Sequence, residues 1–465
     1  MKALLDLLRK NKLFFLLVTL AALALRLFFV LRFPHIEGDA FIYGDIAKNW
    51  LNHGIYGLAT PSVQPTLIRL PGYPAFLALM FSIFGQEHYR AVMIVQAFID
   101  TNTCLVIAAL ALELMNTRGA KAAYLLAALC PFTASYAATP MSETLAIFTT
   151  AHALYYGIRG LKALDRGAPA TLLWITSGVW TSAAIYLRPD ACLLMAPFSA
   201  ALLYLLFRRP SLRYKILLAE ALLLLSACAP LVPWTLRNWR TFHVFQPLAP
   251  RYANDPGEFV PMGFNHWVKT WLVDFVSVDE VFWHVPADPI DPASLPQRAF
   301  DSRAEYEQTE AAINTYNQQL NIGRDLDASF DSLARSRIDG HRFRYYIWLP
   351  ALRIADMWLR PRTEMMDIEL RWWEFSEHTE ESIFALAWAA LNFFFLAAAV
   401  AGWLRWRLGL YGLVLVGYVL LRSAFLGTLE NPEPRYMLEC FPVILALAGG
   451  AFARRATLSS QDTII

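Results

Sequence analysis

Unbroken apolar stretches of about twenty residues recur along this chain, near 13–31, 90–113, 119–137, 141–159, 171–187, 190–207, 214–235, 383–403, 409–426 and 436–453. A helix needs roughly 20 such residues to cross a bilayer, and within lipid only helices and closed barrels leave no backbone group unpaired. The runs therefore predict about ten transmembrane helices. Composition agrees: 57% of the residues are hydrophobic and 17% charged, too few polar groups to turn a wet face on every helix. The run at 13–31 is long enough to span and no A-x-A cleavage pattern follows it, so it reads as a retained helix and not a signal peptide. Cys104, Cys130, Cys192, Cys228 and Cys440 lie in apolar runs without CxxC or CxxH spacing, which predicts packing roles and neither disulfides nor a zinc site.

The segment "PGYPAFLALMFSIFG" (71–85) is apolar but only about 13 residues long after its prolines, closer to a helix on the membrane surface than to a span. With that segment on the surface, the basic N-terminus (Lys2, Arg9, Lys10, Lys12) shares a side with Arg118/Lys121, Arg159/Lys162/Arg166, Arg208/Arg209/Arg213/Lys215, Arg405/Arg407 and Arg454/Arg455. The positive-inside rule then predicts both termini in the cytoplasm. Outside fall a first loop (32–89), a large loop (236–382) and the short "GTLENPEPRY" (427–436). The expected organisation is a transmembrane module at 1–235, an extracytoplasmic cap at 236–382, and C-terminal helices with a cytoplasmic tail at 383–465. Within the cap, "SRAEYEQTEAAINTYNQQL" predicts a polar helix and "FRYYIWLPALRIADMWL" an amphipathic one. Its Trp267, Trp271, Trp283, Trp372 and Trp373 are read either as interfacial and packing residues or as a sugar-stacking platform. The chain carries neither a P-loop nor a Rossmann glycine motif, so nucleotide chemistry has no support, and no nucleic-acid partner is expected.

Directly after the first run, "FPHIEGDAFIYGDIAKNW" concentrates Glu37, Asp39 and Asp45. From Ala40 onward Tyr43, Ile46, Ala47, Trp50 and Leu51 recur at helical spacing, with Asp45, Lys48, Asn49 and Asn52 opposite, as in a helix lying along a membrane. On that phase Asp39 shares the inward arc with Tyr43, and Asp45 is wetted. Asp39 has two compatible readings: an N-cap of the helix, or a general base or metal ligand at a cavity mouth. The outer helix ends add Arg69, Glu143, Arg188, Arg237 and Arg435. Each arginine alone is an ordinary interfacial anchor. Together with two acids on one face they suit an anionic lipid headgroup, because the guanidinium fork matches phosphate oxygens. Glu143, in "PMSETLA", reads as a helix-start acid that caps or pairs. Arg26, inside the first run, reads as snorkelling or paired within the bundle.

Taken in order, "GDAFIYGDIAKNWLNHGIYG", "RLPGYPAFLALMFSIFG", "PMSETLAIF", "LRPDA", "PWTLRNW" and "EPRYMLECFP" resemble the membrane glycosyltransferases of the GT-C fold, specifically the bacterial protein-mannosyltransferase-like and lipid A aminoarabinose-transferase-like group. The resemblance covers most of the chain apart from roughly 250–380. It implies an all-α polytopic membrane protein, a GT-C-like bundle of about ten transmembrane helices with two membrane-surface helices in the first outer loop and a large extracytoplasmic loop. It further implies a multi-pass enzyme of the bacterial inner membrane with its active site on the extracytoplasmic side. Such an enzyme moves a sugar, with inversion, from a polyprenyl-phosphate-linked donor to a hydroxyl of a glycan, lipid or protein acceptor. Asp39 is then the catalytic carboxylate, accompanied by Glu143 and oriented by Tyr43, and Arg69, Arg188, Arg237 and Arg435 hold the donor phosphate. Ala40 stands where many relatives have a second acid, and the second site is a Glu within Ser-Glu, so a divalent metal at Asp39 and Glu143 stays an open expectation and no other cofactor is implied. The alternatives are a lipid-linked glycan polymerase or ligase, and a lipid or glycan transporter; the latter finds no two-half symmetry in the sequence.

Overall fold

A computed structural model describes residues 2–59, 61–366 and 368–454; Arg455 and the rest of the expected cytoplasmic tail lie outside the described residues. The described residues are mostly helical, and the chain divides into two compact units. The first holds the residues up to Pro256, Phe393–Val419 and those from Leu438 onward, and the second holds Gly257–Asn392 and Leu420–Met437. Residues 236–256 thus group with the first unit, although the sequence assigns them to the cap.

In chain order the helices used below are α1 (Lys2–Lys10), α2 (Lys12–Arg32), α3 (Asp39–His53), α4 (Gly72–Phe84), α5 (Tyr89–Leu114), α6 (Thr117–Ala128), α7 (Glu143–Asp165), α8 (Thr171–Leu187), α9 (Pro189–Arg208) and α10 (Pro210–Phe242). They continue with α11 (Met262–Lys269), α12 (Arg303–Gln319), α13 (Arg324–Gly340), α14 (Leu349–Leu359), α15 (Thr379–Trp406), α16 (Gly409–Leu426) and α17 (Pro434–Phe452). Among the described residues, α2, α5, α9, α10, α15, α16 and α17 are the seven helices long and apolar enough to cross a membrane by themselves. The other three predicted spans are also helical. The run at 171–187 is the 17-residue α8, and that at 141–159 becomes the 23-residue α7, whose far end is polar.

The run at 119–137 is not one continuous α-helix. Pro131 has no N–H to donate to the carbonyl four residues back, that of Ala127, so α6 ends at Ala128 and a short helical turn begins at Pro131. Carbonyls released at that depth need partners, and Arg26 supplies them: Nη1 donates to the Ala128 carbonyl at 2.5 Å and Nη2 to that of Ala127 at 3.1 Å. Its Nε donates to Asp100 at 2.8 Å, and the remaining two N–H groups reach the Ala22 carbonyl and Cys104 Sγ. All five guanidinium donors are therefore matched inside the bundle, which decides for the paired reading of Arg26 over snorkelling.

The two ends of the first unit differ in charge. At one end Lys121 donates to Asn11, Arg159 and Lys162 lie 3.6 Å from Glu113, Arg209 lies 3.3 Å from Asp165, and Asn116 donates to the Arg454 carbonyl. The loops that the charge argument assigns to one side thus meet one another. Glu143 opens α7 and Asp165 closes it, about 34 Å away along the axis, so Glu143 belongs to the opposite end.

At that opposite end lie α3, a hairpin of β1 (Gly57–Ala59) against β2 (Val63–Pro65), and α4. The hairpin corrects the expected phase of α3. Asp45 is not simply wetted: it accepts the Ala59 N–H at 2.8 Å, while Asn49 is buried and donates to the Gly57 carbonyl at 3.0 Å. The strands fold back over the polar side of α3, so its buried residues are Ala40, Tyr43, Gly44, Ile46, Ala47 and Asn49, and Trp50 and Leu51 turn outward. Helix α4 begins where Gly72 presses on the end of α8; a Cβ there would stand 2.5 Å from the Tyr186 carbonyl oxygen, so the "PGYP" turn needs glycine.

In the second unit α11, α12 and α13 enclose an apolar core in which Trp267 and Trp271 are fully buried and Phe264, Tyr316 and Phe330 pack around them. Those two tryptophans are packing residues. Trp283 and Trp373 are exposed.

Candidate active site

Asp39 is the first residue of α3, and Gly38, at φ +51°, occupies the capping position before it, so the N-cap expectation for Asp39 does not hold. Its carboxylate is instead in a charge-assisted bond with Arg69, Nη2 to Oδ1 at 2.7 Å, and the two side chains remain 27% and 20% exposed. This partial opening matters, because a sealed pair has no access to substrate. Neighbours fix the loop that presents Arg69. The Tyr56 hydroxyl donates to the Arg69 carbonyl at 2.9 Å, and the Leu67 N–H donates to Asp255 at 2.8 Å. Glu37, well exposed, lies 3.7 Å from His35.

Arg237 belongs to the same framework and departs from its phosphate-binding expectation. Its Nη1 donates to the Thr66 carbonyl at 2.7 Å and its Nη2 to the Tyr56 carbonyl at 2.8 Å, and the guanidinium lies within 5.3 Å of the ring centres of Tyr56, Trp234 and Phe242. It pins the first loop to α10. Arg237→Ala is expected to lower stability by about 2–3 kcal/mol, the scale of one well-made hydrogen bond from a charged donor, since a half-buried site lets water replace part of what is lost; thermal unfolding in detergent reads the change.

Glu143, nearly fully buried at the start of α7, accepts from Arg188 Nη1 at 3.2 Å. Arg188 follows α8 and also faces Asp190, 3.6 Å from Nε, and Glu439, 3.1 Å from Nε. Carboxylates from α7, α9 and α17 thus converge on one guanidinium. Asp190 and Glu439 are the residues that sequence reasoning passed over, although "LRPDA" and "MLECFP" each set an acid among apolar residues. Charge balance at this cluster predicts that Arg188→Ala, which strips the cation from buried acids, destabilises far more than Glu439→Gln, which relieves crowding; thermal unfolding of the two variants checks the order.

Tyr43 stands between the two pairs. Its ring lies 5.9 Å below the Arg69 guanidinium and meets Tyr73 edge to face at 5.1 Å. Burial raises the pKa of its hydroxyl, Asp39 and Glu143 push the same way, and Arg69 and Arg188 oppose. Tyr43 is therefore a neutral donor throughout the neutral range, placed by packing: Tyr73 is itself held by a 2.7 Å bond to Gln96, which donates to the Thr139 carbonyl. Arg435 lies in the second unit, where its Nε donates to Glu433 and its guanidinium lies over the Tyr436 ring at 5.5 Å.

The expected divalent metal does not fit these residues. Among the described residues no three His, Cys, Asp or Glu side chains are gathered as a metal would require, and the carboxylates of Asp39 and Glu143 face guanidiniums. What remains is a partly open carboxylate–guanidinium pair beside a buried one, able to accept a proton and to hold an anion.

Among solved structures the fold is that of polytopic GT-C membrane glycosyltransferases. The *Archaeoglobus fulgidus* oligosaccharyltransferase, crystallised with a tethered acceptor peptide containing the NVT sequon, aligns with 95% of this chain at a TM-score of 0.51 and 12% identity. The same archaeal enzyme, AglB, in complex with an inhibitory peptide and a dolichol-phosphate, aligns with 96% of the chain, again at 0.51 and 12% identity. The chain spans about half the length of that enzyme, 49% and 50% in the two structures. ArnT from *Cupriavidus metallidurans*, bound to undecaprenyl phosphate, aligns with 94% of this chain and 77% of its own at a TM-score of 0.40 and 14% identity. In sequence, residues 64–234 match the family described as dolichyl-phosphate-mannose-protein mannosyltransferase. No match was found among curated protein sequences.

Proposed function

We propose that this protein transfers a sugar from a polyprenyl-phosphate-linked donor to an acceptor hydroxyl, with inversion, at the extracytoplasmic face of a bacterial inner membrane. The coarse reading, glycosyl transfer within a membrane, is supported by the fold and by the mannosyltransferase family match. The observation that carries the finer one is the partly open Asp39–Arg69 pair, 2.7 Å across. A phosphate leaving group is already a stable anion, so the transition state needs charge held more than a proton donated. Arg69 can hold that charge. Asp39 takes the acceptor hydroxyl proton as the oxygen bonds to the anomeric carbon and the bond from that carbon to the phosphate oxygen breaks. Arg188, within 3.6 Å of three carboxylates, is better suited to positioning Glu143 than to meeting a second anion.

An apolar groove of about 670 Å³, walled by Ile185, Met195, Leu231, Leu236, Trp239 and Leu248, supplies a surface for a prenyl chain. The side of the membrane rests on charge: the basic loops gather at the end of the bundle away from Glu143, and the positive-inside rule assigns that basic end to the cytoplasm. Transport is less well supported, because Arg26 and Asp100, the charged pair deep in the spans, satisfy each other and the backbone. Equilibrium binding of polyprenyl monophosphate to the purified protein tests the reading. Arg69→Ala is expected to weaken binding about tenfold or more; unchanged affinity would remove Arg69 from the donor site.

A further inference from the structure

The amphipathic segment of the second unit has one face packed within that unit and one that is exposed among the described residues. Along α14 and the wider helical turn Arg344–Trp348 before it, Leu349, Arg353 and Met357 recur every four residues and are buried. Arg353 donates to the carbonyls of Lys269, Leu272 and Gly427. Met357 packs with Leu426 and Met437, and the Trp358 indole N–H donates to Ser423 at 3.0 Å. Ser423 and Leu426 belong to the last turn of α16, a helix of membrane-spanning length, so the inner face of α14 is fastened where a span ends.

The opposite face is apolar and exposed. Phe343, Tyr346, Ile347, Trp348 and Leu359 are 54–71% accessible. Between Tyr345 and Leu359 the charged residues are Arg353 and Asp356, and both turn away from this face: Asp356 accepts the Phe275 N–H at 3.1 Å, and burial pushes its carboxyl up to about 7. A helix washed by water on its outer side carries charges there. An uncharged outer face with Tyr and Trp among aliphatic residues matches the headgroup boundary of a bilayer. From Arg344 to Leu359 the segment is about 24 Å long, too short to cross and long enough to lie flat.

We propose that the Phe343–Ile347–Leu359 face is seated in the outer boundary of the lipid bilayer, fastening the second unit to the membrane surface at the end of α16. Lipid is favoured over a second copy of the chain because the helix bearing this face docks, through Met357 and Trp358, on the last turn of a span-length helix, where a span leaves the bilayer. This seating is independent of the transfer chemistry; its outer side rests on the orientation proposed above.

Full-length protein with Cys192→Ala and Cys228→Ala is labelled with an environment-sensitive fluorophore at Ile347→Cys or, separately, at Trp348→Cys. Arg324→Cys, on the exposed start of α13, serves as the aqueous control. In vesicles containing spin-labelled phosphatidylcholine, quenching by lipid is expected to be about threefold stronger at the α14 positions than at the control, and quenching by aqueous iodide correspondingly weaker. Iodide quenching equal to the control, or protection from both quenchers as a protein partner would give, overturns the proposal.

Discussion

Asp39→Asn is expected to lower sugar transfer about a thousandfold while leaving the fold intact. Asparagine preserves the size of the side chain and an oxygen that can still accept from Arg69, so the 2.7 Å contact that steadies the first loop is weakened but not emptied. What disappears is the capacity to take a proton from the acceptor hydroxyl. The loss should therefore fall on kcat, with KM for the lipid-linked donor little changed, because the phosphate is held by Arg69. Thermal unfolding is the companion measurement: a variant that is inactive and folds normally supports a chemical role. Activity within a few-fold of the parent would mean that Asp39 only anchors Arg69.

The largest expected effect on stability lies away from that site. Arg26→Met leaves Asp100 without its guanidinium and the Ala127 and Ala128 carbonyls without their side-chain donor, all at a depth where water cannot replace them. Breaking one side of a buried pair costs about 3–5 kcal/mol. Removing the second charge as well, in Arg26→Met/Asp100→Leu, is expected to recover part of this, since no lone charge remains, but not all, since both carbonyls still lack the guanidinium and Ala127 keeps a long bond from the Cys130 N–H in its place. Unfolding in mixed detergent micelles gives the order parent, double variant, single variant. A double variant no more stable than the single would show that the carbonyls, and not the ion pair, dominate.

Much of the bundle was legible because membrane spans announce themselves by length and hydropathy, as α2, α5 and α15 do. The run at 119–137 reads as one span although Pro131 lies inside it, and what becomes of the carbonyls freed there depends on a partner about a hundred residues away, Arg26. The same limit applies at the candidate site. Asp39 and Arg69 were both singled out from their local settings, yet nothing local says that they meet across 30 positions. The helical phase of α3 misassigned Asp45 and Asn49 because a following hairpin, not water, covers the polar side. Arg237 looks in sequence like the other outer arginines; only the Thr66 and Tyr56 carbonyls distinguish it as a structural clamp. Glu439 and Asp190 were hidden in the opposite way, as acids in stretches read for their hydrophobicity.

Following the donor lipid separates sugar transfer from the alternatives. Purified protein reconstituted in vesicles is supplied with a polyprenyl-monophosphate-linked sugar and a mixed set of acceptors, and the anomeric configuration of the product is determined. Discharge of polyprenyl phosphate with inversion at the anomeric carbon is expected, and Asp39→Asn abolishes it. Discharge of a diphosphate-linked oligosaccharide but not of the monophosphate-linked sugar would contradict the proposed transfer, as would retention of configuration.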